Sequence, residues 1–183
     1  MIMVMSDALA PLFRDASLRS FPAGGSLFRM GDAIVSMFLL RAGRADLVRH
    51  SGAGVRMILH RAGPGQVLAE ASAWSDNYHC DAVAAEDSVV AVLPRLEFRR
   101  RLLAEPPLAQ LWMQRLARSV QDARLRAEIR SLPRLADRLD AWLGEGNRMP
   151  DRGRWQEVAA ELGVTREALY RELARRRVDR RRA

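Results

Sequence analysis

The chain has 183 residues, 49% hydrophobic and 28% charged, with a formal net charge of +8. That balance is globular and supplies apolar material for a core. No run approaches the roughly 18 uncharged apolar residues that a membrane helix needs, and the opening "MIMVMSDALAPLF" lacks the basic leader and long apolar segment of a secretory signal. A single cysteine, Cys80, excludes an internal disulfide and a four-thiolate Fe–S cluster and predicts a cytoplasmic home. From about Phe21 to Leu93 short strands are cut by glycine turns. "MFLLRAG" and "RADLVRH" flank Gly43, "VRMILH" follows the turn "SGAG", "GPG" at 63–65 makes another turn, and "SVVAVL" ends at Pro94. Strands at this spacing predict an antiparallel barrel or jelly roll.

After Pro94 the periodicity becomes helical. "LEFRRRLLAE" reads as a short helix that stops before Pro106, and a long helix follows from about Leu108 to Arg130. Ala109, Met113, Leu116, Val120, Ala123 and Ala127 alternate by four and three along it, a heptad seam that predicts a homodimer. Leu111, Leu125, Ile129 and Leu132 lie on the opposite face, available for packing on the chain's own β domain. "SLPRLADRLDAWLGEG" starts a further helix, with Ser131 as cap, Pro133 in the first turn and Gly144 as stop. The expected division is 1–107 for the β domain, 108–130 for the long helix and 131–183 for a C-terminal domain.

All thirty basic residues are arginine, and they are unevenly spread. Residues 1–123 hold 14 arginines against 12 acids, whereas residues 124–183 hold 16 against 10. Charge segregated in this way predicts an anionic partner for the C-terminal part. Within it, "RWQEVAAELGVTREALYRELARR" reads as two helices joined at Gly163, with Val158, Ala159 and Leu162 inward and Thr165 as the N-cap of the second. At about 100° per residue, Ala168, Leu169 and Leu173 face inward, while Arg166, Glu167, Tyr170, Arg171 and Ala174 share an opposite arc. This is the pattern of a helix-turn-helix. Arg166 and Arg171 can address guanine edges, Glu167 can accept from cytosine N4, and Thr165 and Tyr170 can hold phosphate, with Arg175 one turn further on.

Taken together, these residues resemble the CRP/FNR family of bacterial transcription regulators over about residues 12–177. "EVAAELGVTREALYRELARR" resembles that family's helix-turn-helix, and Arg166, Glu167 and Arg171 fall at its base-reading positions. "FPAGGSLFRMGD" resembles the family's first strand, "FLLRAGRADLV" the hairpin after it, "GPGQVLAEASAW" the segment leading to the effector pocket, and "RLADRLDAWL" the helix opening the DNA-binding domain. The resemblance implies an α+β protein: an N-terminal antiparallel β-roll of the cyclic-nucleotide-binding kind, a long dimerisation helix and a winged helix-turn-helix. It also implies duplex DNA, a second copy, a small-molecule effector and RNA polymerase as partners, with no membrane and no cofactor.

Two departures stand out. Cyclic-nucleotide-binding members carry Gly-Glu and, about ten residues on, an arginine followed by serine or threonine. Here Ala69-Glu70 stands first, and His79-Cys80 falls near the arginine position, leaving Glu70, His79 and Cys80 as pocket residues. A cyclic phosphate needs a permanent cation, and "SDNYHCD" offers Asp76, Asp81 and a mostly neutral histidine instead. The expectation is a regulator that does not answer to cyclic AMP or cyclic GMP. Second, "VDRRRA" is short for the β-hairpin wing, which predicts a truncated or missing wing, with Arg180, Arg181 and Arg182 on a disordered arm as its substitute. An interaction or ligand-sensing protein that kept the β-roll and lost DNA binding with its wing is the alternative. A metal enzyme is a third: His50 and His60 could face each other across "SGAG", but neutral strand-end residues are the favoured reading and no His-x-His pair is present. Haem ligation by both His79 and Cys80 is disfavoured, because neighbours on a strand point to opposite faces.

Overall fold

The computed structural model describes residues 8–50, 52 and 56–182, with 178–182 described by backbone alone. The chain divides into two compact units, residues 1–117 and 118–183. The first holds eight strands: β1 (Ser17–Phe21), β2 (Ser26–Phe28), β3 (Ser36–Ala42), β4 (Ala45–His50), β5 (Arg56–Ala62), β6 (Val67–Leu68), β7 (Asp81–Ala84) and β8 (Ser88–Pro94). They form two four-stranded sheets, ordered β1-β8-β3-β6 and β2-β7-β4-β5, and every pairing is antiparallel. This is the jelly roll expected from the turn spacing.

One expectation about the roll needs correction. The strands flanking Gly43 do not pair as a hairpin: β3 pairs with β8 and β6, whereas β4 pairs with β5 and β7. Gly43 is the point where the chain changes sheets. Its φ is +82°, and a Cβ there would stand 2.4 Å from the Asp87 carbonyl oxygen and 2.4 Å from Ser88 Oγ. No other residue fits so tight a crossing.

The two central strands of the first sheet are buried on both sides. In β3, Phe38 and Leu40 join the cluster between the sheets, whereas Met37 and Leu39 join a second cluster. In β8, Val90 and Val92 face the first cluster and Ala91 and Leu93 the second. Period-two alternation with two covered faces produces the unbroken apolar run "SVVAVL". The second cluster is completed by Leu12 and Phe13 of a short 3-10 turn, Phe98 and Leu102 of α1 (Arg95–Ala104), and Leu108 and Trp112 of α2 (Pro106–Ser131). Phe98 meets the Trp112 ring edge-on at 5.0 Å between centroids.

The second unit holds the end of α2, then α3 (Leu135–Gly144), α4 (Trp155–Leu162) and α5 (Arg166–Arg182). Its core is Ile129, Leu139, Trp142, Trp155, Val158, Ala159, Leu162 and Leu169. Ser131 does not cap α3, as expected from sequence: its hydroxyl donates back to the Glu128 carbonyl at 2.6 Å, and the N-cap is Arg134. The backbone also stays helical to Arg182, through the stretch read as a disordered arm. Among the described residues, no helix is long and apolar enough to cross a membrane.

Candidate nucleic-acid interface

The α4–α5 pair is fastened from behind. The last carbonyls of a helix lack partners within it, and at the end of α4 two arginines supply them. Arg130 donates from Nε to the Glu161 carbonyl at 2.9 Å and from Nη2 to the Ala160 carbonyl at 3.1 Å. Arg138 donates to the Leu162 carbonyl at 3.2 Å and to the Leu132 carbonyl at 2.6 Å. Burial, with Arg126 nearby, pulls the Arg130 pKa down from its ordinary value. Gly163 then takes φ +67°, a left-handed turn, and Val164 N–H returns to the Ala159 carbonyl at 2.9 Å. Thr165 Oγ1 accepts from Ala168 N–H at 3.2 Å, the expected N-cap of α5.

Along α5, Leu169 is fully buried and Leu173 packs on the same core, so the opposite side is turned outward. Thr165, Arg166, Glu167, Arg171 and Arg175 are exposed and Tyr170 is half-buried. Among the described residues, Arg166 and Arg171 pair with no carboxylate. Arg175 differs: its fork is bound to Glu172 at 2.9 and 3.1 Å, and Arg176 joins Glu172 at 2.7 Å and Asp140 at 2.6 Å. Arg175 first, and Arg176 after it, hold the Glu172 carboxyl below its usual range.

Tyr170 is placed otherwise than its free hydroxyl role assumes. Its O–H donates to the Arg152 carbonyl at 3.2 Å, and its ring meets Trp155 edge-on at 5.0 Å. The Arg166 guanidinium stands 5.1 Å from the Tyr170 ring centroid. On the Trp155 ring stand two more guanidiniums, Arg177 at 5.4 Å and Arg152 at 5.9 Å. The Trp155 ring is itself tethered, with Nε1–H donating to the Pro150 carbonyl at 3.0 Å. Sequence reasoning missed Arg152, Trp155, Arg177, Arg130 and Arg138. For Arg177 a signal existed: it follows Arg166 and Tyr170 on one stripe of a helix, at spacings of four and seven.

The roll residues separate. Cys80 is buried among Phe28, Phe38, Leu68 and Tyr78, and burial, with Asp81 beside it, pushes its thiol pKa up. Phe28 and Tyr78 stack at 3.9 Å, and the Tyr78 hydroxyl donates to the Ser36 carbonyl at 2.6 Å while burial raises its pKa to about 12. His79 is exposed and lies 3.3 Å from Ser75 Oγ. His79 is exposed whereas Cys80 is buried, so the two side chains do not share a pocket. Glu70 is half-buried and close enough to contribute to the Cys80 shift. Ala69 adopts the left-handed conformation, φ 49° and ψ 50°.

His50 and His60 do not face each other either. The register sets Leu47 opposite His60 and Arg56 opposite His50, and His50 Nδ1 lies 3.6 Å from Asp81 Oδ2. Among the described residues no three His, Cys, Asp or Glu gather as a metal site would require. On α2, Met113, Val120, Ala123 and Ala127 are exposed, with Met113 at 61% and Val120 at 48%. Ala109 and Leu116 also lean on the β unit's core. Leu111 packs there, as expected of that face, whereas Leu125 and Ile129 pack in the helical unit and not on the β domain.

A double-sheet roll followed by helices and an arginine-fronted helix pair defines a class, the nucleotide-binding-type roll joined to a helical C-terminal unit. Residues 18–105 match the family described as "Cyclic nucleotide-binding domain". The "Cyclic AMP receptor protein" of Thermus thermophilus is 29% identical over 160 residues, spanning 85% of this chain and 74% of that one. The c-di-GMP responsive global regulator CLP of Xanthomonas campestris superposes with a TM-score of 0.75 at 17% identity, over 94% of this chain and 91% of its own. FixK2 of Bradyrhizobium japonicum gives 0.74 at 16% identity, over 90% and 85%. Residues 18–105 thus resemble a cyclic nucleotide-binding domain in sequence, and the chain is similar in fold to transcription regulators of the CRP/FNR type.

Proposed function

We propose that the protein is a dimeric, sequence-selective DNA-binding transcription regulator, and not an enzyme. The observation that carries this reading is α5: Arg166 and Arg171 stand exposed and without carboxylate partners around Glu167, on a helix whose other face is locked into a core. α4 and α5 act as a helix-turn-helix, with α5 entering the major groove by its N-terminal turns. Arg166 and Arg171 address guanine O6 and N7, and Glu167 accepts from cytosine N4. Thr165, at the N-terminus of α5, faces phosphate. Arg175 contributes charge rather than readout, since Glu172 occupies its fork. The exposed stripe Met113, Val120, Ala123 and Ala127, with Ala109 and Leu116 at its inner end, supplies the seam that pairs two copies.

The roll does not take a cyclic nucleotide. Phe28, Phe38, Tyr78 and Cys80 pack together between its sheets, and the segment 75–81 itself offers acids and an outward histidine, the nearby Arg95 being engaged with the Ser75 carbonyl. Any effector of the roll is of another class, bound through Glu70 or the surface around it.

A gel-shift assay with genomic fragments at stated salt tests the proposal. Retention of particular fragments by the wild type is expected, and Arg166→Ala or Arg171→Ala each costs about 1–3 kcal/mol of discrimination. A folded wild type that retains no fragment selectively leaves the interaction-protein alternative in its place.

A further inference from the structure

Two sets of arginines in the helical unit stand in contrast. Arg134, Arg154, Arg175 and Arg176 are each held by a carboxylate, at 2.8, 2.8, 2.9 and 2.6 Å. Arg152 and Arg177 are exposed and, among the described residues, pair with no carboxylate; both are instead held by one indole ring. A guanidinium held by its face against a ring keeps its N–H edge free, and its fork matches a phosphate. Ring contact also removes rotamer freedom before any ligand arrives, which lowers the cost of binding.

The support beneath this pair is rigid. Trp155 is 9% exposed, belongs to the unit's core, and is tied through Nε1 to Pro150. Tyr170 fixes the Arg152 backbone through its hydroxyl and packs edge-on against the same indole. Arg152 precedes α4 and Arg177 lies near the far end of α5, so residues remote in sequence meet at one ring. On α5, Arg166, Tyr170 and Arg177 share a stripe about 40° wide, and Arg166 and Arg177 are about 16 Å apart along the axis. The stripe flanks the arc that carries Glu167 and Arg171.

We infer that Arg152 and Arg177, seated on Trp155, form a clamp for the DNA backbone phosphates that border the groove entered by α5. This rests on the DNA-binding reading above. The clamp contributes affinity and salt dependence and carries no sequence information.

The test uses the full chain, with duplexes enriched by the wild type from a randomised pool and with the unenriched pool. Binding constants are measured over a range of salt for the wild type, Arg152→Gln, Arg177→Gln, the double variant and Arg171→Ala. Both clamp positions are exposed, and thermal melts confirm that the variants fold. Because two protomers bind one duplex, each clamp variant removes two phosphate contacts and is expected to lower the magnitude of the log–log salt slope by about 1.8, and the double variant by about twice that. The ratio between enriched and unenriched duplexes stays within about twofold, whereas Arg171→Ala shrinks that ratio. An unchanged slope in the double variant overturns the clamp, and so does a collapsed ratio with the slope intact. Retention of all duplexes alike, with a slope that still falls in the clamp variants, upholds the clamp and sinks the selective reading. A folded wild type that binds no duplex overturns both.

Discussion

Ala69 shows at residue scale how one side chain departs from what its backbone prefers. The left-handed conformation costs a residue with a Cβ roughly 1–2 kcal/mol and costs glycine nothing, yet alanine occupies φ 49° here, before Glu70. Ala69→Gly is expected to stabilise the roll by about 1 kcal/mol, raising the melting temperature by roughly 2–4 °C. A melt that stays put or falls would show that the alanine methyl, 8% exposed, contributes packing that offsets the strain. Asp46 makes a different statement. It is 5% exposed on β4, opposite Arg61 of β5, with Arg61 at 3.4 Å and Arg56 at 3.2 Å. Asp46→Asn removes the buried carboxylate that faces both Arg56 and Arg61, and a loss of about 3 kcal/mol is expected by denaturant unfolding. Neither feature was legible from the sequence, since an αL backbone and a cross-strand ion pair both depend on register.

At the scale of elements, the helices were more legible than the strand pairings. Periodicity alone placed the inward face of α5, because Leu169 and Leu173 recur at helical spacing and their partners lie in the helices just before it. Pairing in the roll is non-local, so the sheet change at Gly43 could not be read from the residues around it; the atoms that demand glycine belong to Asp87 and Ser88. The Trp155 cluster escaped for the same reason, as Arg152 and Arg177 converge only after α4 folds against α5. The outward stripe of α2 makes its own prediction. Met113→Glu with Val120→Glu sets like charges along the seam while leaving the buried Trp112 and Ile129 untouched. Sedimentation is expected to show a dimer for the wild type and a monomer for the double variant. Two equal sedimentation profiles would remove α2 from the interface.

For the whole molecule, the charge asymmetry found in the sequence coincides with the division into units, since the arginine-rich residues 124–183 lie within the second. Under the proposed function, sensing and DNA contact fall to separately packed bodies, a roll whose interior is aromatic and a helical unit whose outer face is cationic. Cyclic AMP or cyclic GMP at millimolar concentration is expected to leave the melting temperature unchanged within about a degree, because a ligand that binds the native state must raise it. A rise of several degrees would show that the roll accepts a cyclic phosphate without the arginine. The account as a whole depends on two copies of α5 reading one duplex together. Footprinting the full chain on a fragment it selects measures this most directly. Two protected half-sites, related by a two-fold axis and centred about one helical turn apart, are the predicted result, with both lost in Arg171→Ala. Uniform protection without half-sites, or a wild-type pattern that survives Arg171→Ala, would contradict it.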